Sequence, residues 1–143
     1  MVFKNVYLTN IEKKTLNNTN FREVLFTGPH SQLVIMSLKP NEEIGEETHA
    51  SVDQFIRIEA GDGIAILNDK KHILKDGSSL VIPAKTKHNI VNKSDDKPLK
   101  LYTIYSPPEH EDGIIHKTKE DALKEHKSKV RKDAWAKFSM RYK

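Results

Sequence analysis

Four side chains in two short segments are candidates for a metal site. Glu47 and His49 stand two residues apart in "GEETHASVDQFIRIEAGDG", and residues two apart in an extended chain point to the same side. Gln54 opens the apolar run that follows, where a glutamine on an apolar interior needs partners for its oxygen and its amide. His88 enters a second apolar run, "VIPAKTKHNIVN". We expect the four side chains to converge on one site with nitrogen and oxygen ligands.

The ligand types indicate which ion this site would hold. Two imidazoles and one carboxylate suit a divalent transition metal such as Zn, Mn, Fe, Co or Ni. Three firm ligands with open positions are what a catalytic metal needs, and Gln54 would bind weakly or orient a metal-bound water. The chain has no cysteine, which excludes thiolate sites and disulfides. In the competing interpretation, Glu47 and His49 are exposed turn residues and His88 is a buried histidine without a metal.

Three further residues are assigned to a substrate pocket. Ile56 shares a strand face with Gln54, and Asn92 shares one with His88. Tyr102 lies in the last apolar run, from which its phenol could reach a substrate as an acid. His110 and His116 follow the last strand and could lie across the barrel mouth or on the surface, and surface or fold-stabilising roles are favoured. Three histidines in turns or on a polar helix face are assigned no role: His30, His72 and His126.

Short strands must position these residues. Between residues 31 and 106 the chain is a series of Val- and Ile-rich runs separated by clusters of Gly, Asn, Asp and Pro, which is typical of an all-β sandwich or barrel. The turn segments "GDG", "NDK", "KDG" and "SDDKP" supply residues that tolerate tight or left-handed backbone. At 143 residues the chain is most simply one domain with its own core.

The two ends of the chain differ from this β region. Residues 1–30 predict an arm that adds a strand to the sheet or to a partner subunit. From Lys117 the pattern becomes helical with a thin apolar stripe, which consists of Leu123, Val130, Ala134 and Phe138. Residues 117–143 hold ten Lys or Arg against four Asp or Glu, a net +6, so the overall +4 leaves −2 for residues 1–116. We therefore divide the chain into a β-barrel with its arm, 1–116, and a basic helical extension, 117–143.

The two polar segments resemble the paired motifs of the cupin superfamily, G-x5-H-x-H-x(3,4)-E-x6-G and G-x5-P-x-G-x2-H-x3-N. The resemblance implies a small jelly-roll β-barrel with a metal inside its mouth. The flanking segments also resemble short stand-alone bacterial cupins that are loosely labelled mannose-6-phosphate isomerase-like. The chain aligns without gaps at these motif positions: Asn41, Glu47, His49, Gln54 and Gly61, then Gly77, Pro83, Lys85, His88 and Asn92.

Four positions depart from the motifs. Asn41 and Lys85 replace glycines at turns, and because lysine tolerates positive φ poorly, a local rearrangement near Lys85 is expected. Glu47 replaces the first histidine and Gln54 replaces the glutamate. The usual three-His, one-Glu set thus becomes two His, one Glu and one Gln. This resembles the zinc site of phosphomannose isomerases with Gln and Glu exchanged.

These observations predict a divalent-metal-binding cupin that acts on a sugar or a small oxygenated acid as a metal-dependent isomerase/epimerase or a dioxygenase. The alternative is a non-enzymatic small-molecule-binding module without a catalytic metal. We expect a homodimer, because small cupins commonly pair through N-terminal strands. We do not expect nucleic acid as a partner, since the basic extension lacks a matched aromatic stacking platform. No apolar stretch is long enough to span a membrane, so a cytoplasmic location is expected.

Overall fold

The computed structural model describes residues 6–128. Within them the strands form two antiparallel sheets, with the order β6-β3-β8-β2-β1-β9 in the larger sheet and β5-β4-β7 in the smaller one. The all-β prediction is confirmed, but the sheets do not close into a barrel. The elements are α1 Ile11–Asn17, β1 Arg22–Thr27, β2 Gln32–Leu38, β3 Asp53–Ala60, β4 Gly63–Leu67, β5 Lys70–Leu74, β6 Ser79–Ile82, β7 His88–Asn92, β8 Leu99–Ser106 and β9 Ile115–His116.

The core lies between the two sheets and is built by strand alternation. In β8 every second side chain from Leu99 to Tyr105 is buried while the residues between them are partly exposed, as expected for a strand with one face on the core. Strand β3 lies beside β8, with Gln54 opposite Tyr105 and Ile56 opposite Thr103. The inner face of the larger sheet is thus mainly apolar, with polar side chains at the end where Gln54 lies.

The N-terminal arm contains a helix that the sequence prediction missed, in addition to the expected strand. Asn10 caps helix α1, because its side chain accepts a hydrogen bond from the Lys13 N–H at 3.0 Å. Seven residues are too few to give a clear helical period in the sequence. The strand that follows, β1, pairs with β2 and β9 of its own chain.

The chain becomes helical again at residue 119, and the described part of this C-terminal helix spans residues 119–128. Thr118 and Asp121 cap it reciprocally: the Thr118 N–H donates to Asp121 Oδ2 at 3.3 Å, and the Asp121 N–H donates to Thr118 Oγ1 at 3.2 Å. Ala122 packs against the core. Of the predicted apolar stripe, Leu123 is described, whereas three members lie outside the described residues: Val130, Ala134 and Phe138. The division at residue 116 stays a prediction.

Several turns of the described chain adopt left-handed backbone. Asn41 and Lys85, at motif positions where glycine is usual, have φ angles of 63° and 71°. The expected rearrangement near Lys85 is therefore wrong: lysine adopts the glycine-type conformation, and its N–H donates to the His49 carbonyl at 2.6 Å. Gly61 has a φ of 105°, and a Cβ there would lie 2.5 Å from the Pro98 carbonyl oxygen, so this turn requires glycine.

Among residues 6–128, no helix is both long enough and apolar enough to cross a membrane.

Candidate metal centre and cavity

Backbone pairing brings Glu47 beside His88. The Glu47 N–H donates to the His88 carbonyl and the His88 N–H donates to the Glu47 carbonyl, both at 2.9 Å. His88 begins strand β7, whereas Glu47 lies in an irregular segment that touches β7 at single bridges. The sequence argument placed Glu47 and His49 in a continuous strand, and that placement is wrong. The two side chains converge because this segment runs along the edge of β7.

The side chains of Glu47, His49 and His88 form a close cluster. Each offers one ligand atom, and the three atoms lie within 4.8 Å of one another. The His49 Nε2 lies 3.2 Å from Glu47 Oε2, and the centroids of the two imidazole rings are 5.2 Å apart. Ligand atoms this close can share one ion without backbone movement.

The two imidazole rings are oriented by partners on their Nδ1 sides. His88 Nδ1 lies 2.8 Å from the Thr86 carbonyl oxygen, and because a carbonyl only accepts, Nδ1 carries the proton. His49 Nδ1 lies 3.5 Å from Glu109 Oε1. The Nε2 of His88 is buried and has no hydrogen-bond partner among the described residues, whereas the Nε2 of His49 faces the Glu47 carboxylate at 3.2 Å. Metal-binding histidines show this arrangement, in which one nitrogen is held by a carbonyl or carboxylate and the other faces the ion.

Gln54 offers a further free acceptor. Its side-chain N–H₂ donates to Thr103 Oγ1 at 3.0 Å, which leaves Oε1 buried and without a partner in the described chain. Gln54 lies opposite Tyr105 in the β3–β8 register, and the Tyr105 ring meets His49 edge-on at 6.1 Å. A buried amide oxygen without a donor is costly, and a cation or a cation-bound water would satisfy it.

The protonation behaviour of the cluster suits a cation. Burial would raise the pKa of Glu47, but the neighbouring His49 and the positive charge of Arg22 lower it overall. The contact with Glu47 raises the pKa of His49, although burial opposes the shift. Without an ion these shifts favour a proton on His49 beside an ionised Glu47. A divalent ion would replace that proton, as metal binding to histidine normally does. The side chains of the cluster therefore suit a divalent metal ion.

A cavity of about 550 Å³ opens beside the cluster, a volume typical of small-molecule sites. One side of the C-terminal helix forms part of its wall. The helix is fastened by a contact between the His116 imidazole and the Glu125 carboxylate. The cavity is lined by Phe21, Arg22, Ile44, Gly45, Glu46, Glu47, Thr48, His49, Glu109, His110, Glu111, Ile114, His116, Lys119, Ala122, Leu123, Glu125 and His126.

Gln32 holds the loop that carries Glu109 and His110 over the site. Fully buried on β2, it accepts from the backbone N–H groups of Glu109 and His110 at 3.2 and 2.9 Å and donates to the His110 carbonyl at 2.7 Å. These contacts bring Glu109 to His49 and set the His110 ring against Tyr105, with centroids 5.1 Å apart. Burial and the charge of Arg22 lower the pKa of His110 to about 3, so its ring is neutral at physiological pH.

Comparison with known proteins decides the family. The Cupin domain profile matches residues 34–105, half of the chain, and this range contains the whole cluster. The chain belongs to the cupin family. The uncharacterized protein L612 of Acanthamoeba polyphaga mimivirus is 51% identical over 113 residues, which cover 77% of this chain and 71% of that protein. The uncharacterized protein YrkC of Bacillus subtilis is 46% identical over 123 residues, which cover 82% of this chain and 66% of YrkC.

A solved structure is similar to this chain along most of its length. The crystal structure of BH2720 from Bacillus halodurans is 40% identical, with a TM-score of 0.79, and the match covers 82% of this chain and 92% of that one. The cupin resemblance expected from the paired motifs is confirmed. The finer likeness to mannose-6-phosphate isomerases stays a prediction.

The three pocket residues expected from the sequence do not line the described cavity of this cupin. Ile56 is fully buried in the core. Asn92 is also fully buried, and its side-chain N–H₂ donates to three backbone carbonyls, those of Leu38, Lys39 and Lys97, so it fastens a turn. Tyr102 lies on the outer face of β8, where its ring centroid is 6.2 Å from that of Phe55. Period-two alternation puts Tyr102 and the inward Tyr105 on opposite faces.

Sequence reasoning missed several cavity residues, namely Arg22, Glu109, His110 and His116. Each lies outside the two motifs, on β1, on β9 or in the loop after β8. His110 and His116 were expected at surface or fold-stabilising positions, yet both line the cavity, and His116 is buried. The available signal was the pair of histidines flanking "EDGII" in a segment otherwise rich in turn residues.

Proposed function

We propose that this cupin binds one divalent transition metal through Glu47, His49 and His88, with Gln54 completing or supporting the shell. A small oxygenated molecule, a sugar or an organic acid, would bind in the adjoining cavity. The observation that carries the proposal is a pair of buried acceptors without a partner among the described residues, His88 Nε2 and Gln54 Oε1, beside the contact between Glu47 and His49. Buried acceptors without donors are costly, and one cation would satisfy them together.

The chain's own residues divide the work around the ion. A bound divalent metal supplies Lewis acidity that polarises a substrate oxygen. Glu47 contributes the negative charge that offsets the ion, while the Thr86 carbonyl and Glu109 orient the two imidazoles. The C-terminal helix forms part of the cavity wall. This set supports either a metal-dependent isomerase/epimerase or a dioxygenase, and oxygen consumption with candidate substrates separates the two classes.

A non-enzymatic binding module is the second candidate, and the two ring groups beside the cluster favour it. Burial raises the pKa of Tyr105, and the pKa of His110 falls to about 3. Each ring therefore keeps one protonation state at neutral pH, which suits a fixed donor or acceptor better than a general acid–base catalyst. A ligand that raises the melting temperature but is recovered unchanged would identify such a module.

Metal analysis of protein purified without an affinity tag tests the proposal. After stripping and reconstitution with Zn, Mn, Fe, Co or Ni separately, we expect about one bound ion per chain for at least one metal. His49→Ala and His88→Ala should lose it. His72→Ala is the matched control, because His72 is an exposed histidine on β5. Absence of a stoichiometric ion from the reconstituted wild type for all five metals would overturn the proposal.

We also propose a homodimer that pairs through sheet edges. Strands β6 and β5 lie at the edges of the two sheets, and they carry Val81 and Ile73 with 69% and 66% of their surfaces exposed. Exposed apolar side chains on an edge strand favour association. Sedimentation analysis of the wild type and of Val81→Lys tests this, and a wild type that remains monomeric at high concentration would contradict it.

A further inference from the structure

Arg22 is a buried arginine that faces the cavity. It is 8% exposed and lines the cavity from β1, where it lies opposite Met36 of β2 and His116 of β9 in the strand registers. Val24, two residues on, shares its inward face and is buried as well. Arginine is seldom buried this far unless its charge is paired.

The guanidinium group of Arg22 has no anionic partner in the described chain. It forms no salt bridge with any residue between 6 and 128, and its buried Nε has no hydrogen-bond partner there. The guanidinium carbon lies 5.3 Å from the centroid of the Phe21 ring. A buried charge without a partner is strongly unfavourable.

Five glutamates line the cavity: three contact histidines, Glu46 lies 3.7 Å from Lys87, and Glu111 has no salt bridge among the described residues. Glu47 and Glu109 both contact His49, and Glu125 pairs with His116. Arg22 is close enough to affect the pKa of Glu47 but does not pair with it. The anion that Arg22 lacks is therefore not supplied by these acids.

We propose that Arg22 binds the carboxylate of a small organic acid that enters the cavity. This rests on the proposed function in that the acid would occupy the same cavity as the metal centre. The planar fork of a guanidinium group matches a carboxylate with two parallel hydrogen bonds. The apolar side chains of Phe21, Ile44 and Ile114 line the same cavity and contact the hydrocarbon part of the acid. The surrounding glutamates repel multiply charged anions, so a monocarboxylate is favoured over phosphate.

Calorimetric titration with matched probes tests the proposal. The probes are lactate and benzoate, with lactamide and benzamide as neutral isosteres and inorganic phosphate as a competing anion. Each is titrated into wild-type protein stripped of metal and desalted, and into metal-loaded protein. We expect the stripped wild type to prefer at least one carboxylate over its amide by about tenfold or more. Arg22→Met should abolish that preference.

Two further variants separate recognition from folding and net charge. Lys71→Met removes the same charge from exposed strand β5 and should keep the preference. Arg22→Lys keeps the positive charge but not the planar guanidinium fork, so it should retain only a small part of the carboxylate preference. Because Arg22→Met removes an unpaired buried charge, its thermal stability should equal or exceed that of the wild type.

The outcomes distinguish this inference from the metal proposal. A carboxylate preference in stripped wild type that Arg22→Met abolishes supports the inference even when no metal binds. Equal carboxylate-to-amide preference in the wild type and Arg22→Met overturns it, even when the metal binds as proposed. Arg22-dependent binding of phosphate but not of either carboxylate overturns the assignment to a carboxylate.

Discussion

Replacement of His88 by leucine should separate a metal ligand from a structural histidine. In the metal-free protein, His88→Leu loses the hydrogen bond to the Thr86 carbonyl, which costs about 1 kcal/mol. The same change removes the buried Nε2 that has no partner, which returns about 1–3 kcal/mol. The side chains are similar in volume, so packing is largely kept. We expect the metal-free variant to be as stable as the wild type or up to about 2 kcal/mol more stable.

A bound metal should reverse this order of stability, so that the wild type becomes more stable than His88→Leu. An ion present at a hundredfold excess over its dissociation constant stabilises the wild type by about 2.7 kcal/mol. For a chain of this size, that corresponds to a rise of about 5–11 °C in melting temperature. His88→Leu retains only Glu47 and His49 as firm ligands, so the same addition should raise its melting temperature by less than about 2 °C, an estimate that follows from the same linkage.

Thermal unfolding monitored by circular dichroism, with and without each of Zn, Mn, Fe, Co and Ni, measures both effects. His72→Leu controls for metal bound at exposed histidines and should keep the full rise, since His72 is exposed on β5. If His88 were a structural histidine, the leucine variant would be destabilised in the metal-free state. That result, together with a wild type that no metal stabilises, would refute the reasoning.

Three further predictions concern the loop, the ionised pair and a strained turn. Gln32→Leu removes three hydrogen bonds to the loop at residues 109–110, so it should lower the free energy of unfolding by about 1–3 kcal/mol. Amide hydrogen exchange in this loop should become faster, and an unchanged exchange rate would contradict the prediction. Glu47 raises the pKa of His49 above its ordinary 6.5, and His49 lowers the pKa of Glu47 below its ordinary 4.5. In metal-free protein the pair therefore stabilises fully between about pH 4.5 and pH 6.5, and less as pH rises through the raised pKa of His49. Urea unfolding of the wild type and His49→Phe should show their difference shrinking with rising pH, whereas a growing difference would reverse the assigned sign. Lys85 has a φ of 71°, which is strained for lysine but not for glycine. Lys85→Gly should therefore raise the free energy of unfolding by about 0.5–1 kcal/mol after the entropic cost of glycine is subtracted. A loss of stability in urea unfolding would argue against strain at this turn.

The strands were predictable because their signal is local. The run "LKLYTIY" alternates between buried and partly exposed positions in the structure, "LVIMSL" is mostly buried, and Gly, Asn and Asp mark the turns between the strands. Helix α1 was missed because seven residues give little periodicity. Closure into a barrel was wrongly expected because motif spacing says nothing about which strand edges hydrogen-bond.

The candidate ligands were predictable for a different reason. The family motifs mark residues that are far apart in the sequence but come together in the folded domain. Spacing placed Glu47, His49 and His88 at ligand positions, and the structure brings their ligand atoms together. The local argument for Glu47 and His49 was nevertheless mistaken, because that segment is irregular and is held by its bridge to β7. Tyr102 shows the opposite error: its type suited a pocket, but its place in β8 turns it outward.

The sequence by itself determined the cupin fold, the positions of the strands and the types of atom available to a metal, because these depend on local pattern and motif spacing. Only the tertiary structure decided which atoms lack partners and which residues share the cavity. Arg22 precedes Glu109 by 87 positions in the chain, and the two meet at one cavity because β1, the loop after β8 and the C-terminal helix pack at the same end of the fold. Burial and pairing are properties of that packing, so the charge left unpaired on Arg22 has no signature in the sequence.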